Sequence, residues 1–219
     1  MHRSIRTRLT SFAFVTTLVL ASPAFAGPPL LCHPFDIGTA RSLPWDGARS
    51  WFAADPAFDV QRLVGETEAL LTPSTPVVVR METLRRAAIY ASRDRAVAAR
   101  LLAALTDKAR ASDKEGHPDA LAFHDAAYLT EAFREVGMLE QMPEFRDRAP
   151  AMRSLVAGAD AYSLITKSLA ARPGDPSLEF AAALIAADSR RDAYQRHASN
   201  ARAGASKDAL LAKNIGHVS

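Results

Sequence analysis

The chain has 219 residues with Lys+Arg 27 against Asp+Glu 24, but three of those arginines and none of the acids fall in residues 1–26. The remaining 193 or so residues balance at 24 against 24, so the overall pI of 9.2 is no nucleic-acid footprint, and no Lys/Arg cluster exists to drive counterion release. A single cysteine, Cys32, excludes an intramolecular disulfide, and the length suits one domain that is stabilised by packing.

Residues 1–26 read as a cleavable secretory signal. Arg3, Arg6 and Arg8 precede an apolar run, Leu9 to Leu20, and Ala24-Phe25-Ala26 supplies the small-x-small exit. Those three parts in that order define an export signal. The run is shorter than the roughly 20 residues of a bilayer-spanning helix, so no stable membrane anchor is expected once it is removed. The expected location is periplasmic or secreted.

Residues 27–54 form an expected arm. Pro28, Pro29, Pro34 and Pro44 deny backbone donors and fix φ, which disfavours a helix or an interior strand. Leu30, Leu31, Phe35, Ile37, Leu43, Trp45 and Trp51 make the segment too apolar for a solvated tail. An extended arm laid across a helical body, residues 55–219, follows.

In that body Phe58, Leu63, Leu70 and Leu71 repeat near a 3.6-residue period until Pro73. Thr75 as N-cap and Pro76 in the first turn open a second helix to about Ser92. It carries Val78, Met81, Leu84, Ala88 and Ile89 on one face, with Arg80, Arg85 and Arg86 largely opposite. A third helix spans Asp94 to Arg110, and a turn covers Asp113 to Gly116. A fourth runs from Pro118 to Gly137, with Gly137 expected as a left-handed C-terminal cap.

The stretch from Met138 to Pro150 is unassigned. A fifth helix over Ala151 to Arg172 ends at the turn Pro173-Gly174-Asp175-Pro176. Helices over Leu178–Ala187, Arg190–Arg202 and Ala209–Ile215 complete an all-α fold of antiparallel helical hairpins, either a bundle or a short solenoid.

Ala161, Ile165, Ser168 and Pro173 stand at offsets 0, 4, 7 and 12, a spacing that resembles the second helix of a tetratricopeptide repeat. Asp175-Pro176 would open the next unit, but Glu179 and Ala186 depart from the repeat pattern and no second copy appears at its period. The resemblance implies helix-hairpin packing and a peptide-binding surface, and it transfers no catalytic residue.

Cys32, His33 and Asp36 place a thiol, an imidazole and a carboxylate within five residues, a set that suits a metal or nucleophilic site. In an extended chain adjacent side chains point apart, and a buried thiol among packed neighbours is the plainer reading. His117 and His124 are seven apart, whereas helical metal pairs stand three or four apart; these histidines, with His197 and His217, are expected on solvated faces. Trp45 and Trp51 either line a ligand groove or anchor the arm.

No phosphate loop, nucleophile elbow or zinc-protease motif is present, which weighs against an enzyme and gives no cofactor. The sequence therefore points to an exported scaffold that binds a protein or peptide between its helical hairpins. The alternatives are a small exported enzyme or metal-binding protein built on Cys32, His33 and Asp36, and a homo-oligomer that exchanges its arm.

Overall fold

A computed structural model describes residues 28–46 and 50–218, so the signal-like segment lies outside the described residues. Among those described, the structure is helical with no strand: α1 Leu63–Leu70, α2 Val77–Ala91, α3 Arg95–Lys114, α4 Ala120–Met138, α5 Ala149–Leu155, α6 Ala161–Ala171, α7 Pro176–Ala186, α8 Arg191–Gly204 and α9 Ala209–Asn214. Short 3-10 turns flank α1, α4, α8 and α9.

Aspartates start most of the long helices. Asp94, Asp119, Asp160, Asp175 and Asp208 take extended backbone and accept first-turn N–H groups of α3, α4, α6, α7 and α9. Each side-chain oxygen satisfies donors that would otherwise have no intrahelical partner. At α2 the expectation fails: Pro76 is the N-cap, and Thr75 instead donates its hydroxyl to the Leu70 carbonyl at 2.7 Å.

α4 is the hub, packed by α2, α3, α5, α6 and α7, and all but two of its residues are buried. Gly137 belongs to that packing and not to a left-handed cap, since its φ is not positive. A Cβ there would stand 3.1–3.2 Å from the Arg153 backbone and Cβ, so glycine lets α5 approach. The single helix expected over 151–172 is two, because Gly158 turns at φ 79° and Asp160 caps a new start.

In α6 the buried residues are Ala161, Ile165 and Ser168, three of the four positions that carried the repeat resemblance. Ser168 donates to the Ala120 carbonyl at 2.7 Å, which joins α6 to the start of α4. Where α8 ends, Gly204 meets the start of α7, and an added Cβ would lie 2.8 Å from Pro176 Cγ and closer still to its Cβ. A proline ring cannot swing aside. Gly204→Ala is therefore expected to lower stability by about 1–3 kcal/mol through overpacking, read as a shifted urea midpoint; an unchanged midpoint contradicts this contact.

The arm has no regular structure and runs over the body as a core component. Leu30, Leu31 and Leu43 are wholly inaccessible, and Phe35 and Ile37 nearly so. Each such side chain contributes about 1.5–3 kcal/mol when fully buried.

Candidate functional site

An irregular segment that enters a core brings backbone polar groups with it, and each must find a partner. α2 and α4 supply them from side chains. Glu135 on α4 accepts the Leu30 N–H at 3.1 and 3.0 Å on its two oxygens and the Leu31 N–H at 3.0 Å. Glu82 on α2 accepts the Phe35 N–H at 3.1 Å.

Arg85 grips Glu82 through Nε at 2.7 Å and Nη2 at 2.9 Å, and donates Nη1 to the carbonyls of Leu31 and Trp51 at 3.2 and 2.7 Å. Arg86 shares Glu82 Oε1 with Arg85 Nη2 and also holds the Leu43 carbonyl, both at 2.7 Å. Tyr90 donates to the Pro44 carbonyl at 2.6 Å, and Asn214 on α9 reads both backbone groups of Asp36.

Of the three α2 arginines opposite the apolar stripe, Arg80 and Arg85 are buried, 1 and 0 % exposed, and Arg86 is half-buried. Arg85 is covered by the arm, whose carbonyls need its donors, whereas Arg80 is buried against the Leu71 and Thr72 carbonyls and Asp125 of α4. Burial alone would raise the Glu82 carboxyl, but Arg85 and Arg86 together hold it below its ordinary value. Glu135 is pushed well above the usual range by burial, with Glu131 adding to the rise, although the Leu30 and Leu31 N–H groups oppose it. Deeper in, Arg80 binds Asp125 at 2.9 and 2.7 Å, and Asp125 also meets His124 Nδ1 at 3.0 Å.

His124 and His197 are buried and His217 is half-buried, against the solvated faces expected of them, while His117 is exposed. His124 and His117 accordingly share no open face.

The arm residues singled out from sequence each have their own surroundings. Cys32 is half-buried, and burial, reinforced by the nearby Glu135 charge, pushes its thiol up to about 11. The His33 ring meets His217 edge-on, with centroids 5.8 Å apart, and His217 in turn stacks on Phe35. Asp36 is exposed, accepts the Gly38 N–H at 2.8 Å and stands 3.5 Å from Lys213. Among the described residues no group of three or more His, Cys, Asp or Glu is placed to hold a metal.

A thiol at about 11 has about a hundredfold less thiolate near pH 8 than an ordinary cysteine. Cys32 is accordingly expected to react with a disulfide reagent about a hundredfold more slowly in the folded chain than in urea; equal rates contradict its burial.

Trp45 and Trp51 pin the arm. Arg85 lies over the Trp45 ring, 4.8 Å from its centroid, and Trp45 meets Tyr90 edge-on. Trp51 stacks on Phe145, nearly parallel at 5.8 Å.

The apolar concavity lies elsewhere. α3 and α6 both lean on α4 and leave a trough of about 470 Å³ between them. Leu102 and Ala103 of α3, Leu164 of α6, Leu155 and the buried Phe123 line it. Beneath it Ala109, Ala122, Phe123 and Ala126 form a small apolar cluster separate from the main core. Sequence periodicity does not single this surface out, since Ala99, Leu102, Ala103 and Thr106 form a second stripe on a helix whose first stripe, Val97, Leu101 and Leu105, already explains its pattern.

No described helix is long and apolar enough to cross a membrane. In comparisons with known proteins, no protein-family model, no curated protein and no solved structure matches this chain.

Proposed function

We propose that this chain is an exported helical scaffold that binds a partner protein through the trough between α3 and α6, with an amphipathic helix of the partner as the occupant. One observation carries the reading: the trough is a concave apolar surface floored by α4 and left uncovered by the chain's own arm, which is committed to other partners on α2, α4 and α9. A helix fits such a slot because alanines at 99 and 103 let a second backbone come close, and apolar anchors at i, i+4 and i+7 match a groove between two helices. The export reading rests on residues 1–26 and their three-part pattern. The helix-hairpin reading of α6 and α7, with its likeness to a tetratricopeptide repeat, supports the same use of the fold.

The test is selection of displayed helical and extended peptides on the full chain, followed by binding to Ala103→Arg and Leu164→Arg variants. Enriched helical peptides that lose at least about tenfold in affinity on both variants support the trough. Enriched peptides indifferent to both substitutions, or no enrichment at all, contradict it.

A further inference from the structure

α6, α7 and α8 assemble a second polar network, remote in the fold from the arm. Glu179 on α7 meets His197 Nδ1 on α8 at 2.5 Å, and Asn200 donates to the other Glu179 oxygen at 3.1 Å. A carboxylate on Nδ1 places the imidazole proton there. Nε2 is then an acceptor, and Tyr162 Oη on α6, 3.0 Å away, donates to it. The Tyr162 oxygen accepts in turn from Arg196 Nη2 at 3.2 Å, and the Arg190 guanidinium lies over the Tyr162 ring, 4.6 Å from its centroid.

His197 is 6 % exposed, so the line runs from a buried imidazole to a half-exposed phenol. That phenol opens on a surface depression of about 450 Å³ lined by Ser189, Arg190, Arg191, Asp192 and Arg196. Arg190 is 3.5 Å from Asp160; Arg191 and Arg196 form no ion pair with a carboxylate among the described residues. Three guanidiniums around one hollow, two of them without an acidic partner, mark a place for an anion.

We infer that this depression binds a phosphate group, as the free ion or as a phosphate ester. Guanidinium forks match the oxygens of a tetrahedral oxyanion. Asp192 in the first turn of α8 offsets that helix's positive end, so the guanidiniums supply both the field and the contacts. The buried relay explains how an exposed arginine is held ready: Glu179 fixes His197, His197 fixes the Tyr162 hydroxyl, and the Tyr162 oxygen fixes Arg196. Tyr162 and His197 are positioning residues, and Arg191 and Arg196 touch the ligand.

The test is calorimetric or NMR titration of the full chain with inorganic phosphate and with phosphoserine, at constant ionic strength against chloride. Saturable one-site binding is expected, weakened about tenfold by Arg191→Ala and by Arg196→Ala. Both side chains are exposed, so these variants keep the fold. Tyr162→Phe should weaken binding several-fold while the melting temperature of the chain stays within a few degrees, which a merely structural tyrosine would not do. Tighter binding of phosphoserine identifies an ester site, and equal binding the free ion; either supports the inference. No saturation beyond the chloride control, or unchanged affinity in both arginine variants, overturns it.

Discussion

Arg85→Ala is expected to be among the most damaging single substitutions in this chain, lowering stability by about 3–5 kcal/mol. The guanidinium is wholly buried and serves four acceptors: both oxygens of Glu82 and the carbonyls of Leu31 and Trp51. Removing it leaves Glu82 with Arg86 alone as a cationic partner and leaves two arm carbonyls without their donor. Because folded domains of this kind are stable by only about 5–15 kcal/mol, a loss of that size takes a large share of the total. Urea denaturation of the purified chain reads it directly. An exposed control frames the result: Arg110 pairs with Asp107 at 3.4 Å with both side chains more than 70 % exposed, and Arg110→Ala should change stability by less than about 1 kcal/mol. Equal small losses at both positions would mean that Arg85 does not hold the arm.

The second large effect concerns Glu135 and depends on pH. Its folded-state carboxyl is raised by burial above the ordinary value of 4.5. Between 4.5 and that raised value the folded chain holds a proton the unfolded chain has lost. Its contribution is therefore fully present below about pH 4.5 and lost as pH rises through the folded value, with a slope of up to about 1.4 kcal/mol per pH unit. Glu82 has the opposite sign: its lowered carboxyl contributes above about pH 4.5 and the contribution is lost as pH falls through the folded value.

Glu135→Gln keeps the shape and an acceptor oxygen but cannot ionise. It should gain on the native chain as pH rises above about 4.5. Glu135→Ala strips the acceptor from the Leu30 and Leu31 N–H groups and should lower stability by about 2–3 kcal/mol at acid pH, where the native carboxyl is neutral. Urea midpoints of the three chains from pH 4 to pH 8 test both statements. Parallel curves for the native chain and the Glu135→Gln variant would contradict the buried, raised carboxyl.

Much of the fold was legible because it is written locally. Asp94 and the Asp175-Pro176 pair announce helix starts through their side-chain acceptor and fixed φ, and the four prolines with their apolar neighbours separate the arm from the helices. The breaks that periodicity hides are also local but ambiguous: Gly158 and Asp160 interrupt a stretch whose apolar spacing runs on across them. Gly137 shows the converse, since glycine near a helix end serves equally for a cap or for close approach, and only the neighbouring α5 decides.

The polar strip was not legible, for a physical reason. Arg80, Arg85 and Arg86 lie opposite an apolar stripe, which is the pattern of a solvated face. Whether water or a proline-rich arm covers that face is a tertiary fact. Glu135, Glu82 and the arm backbone are separated by 47 to 105 residues, so no window along the chain contains the contact. The same holds for Tyr162, Glu179 and His197, each unremarkable on its own helix.

Among the described residues, the arm is built into the core and leaves the α3–α6 trough open. Hydrogen exchange at the amides of Leu30, Leu31 and Phe35 tests this most directly, because those three N–H groups end on buried carboxyl groups. They are expected to exchange only with global unfolding, as slowly as the amides of α2 and α4. Exchange at the rate of an open segment, with α2 and α4 still protected, would contradict an arm that belongs to the core.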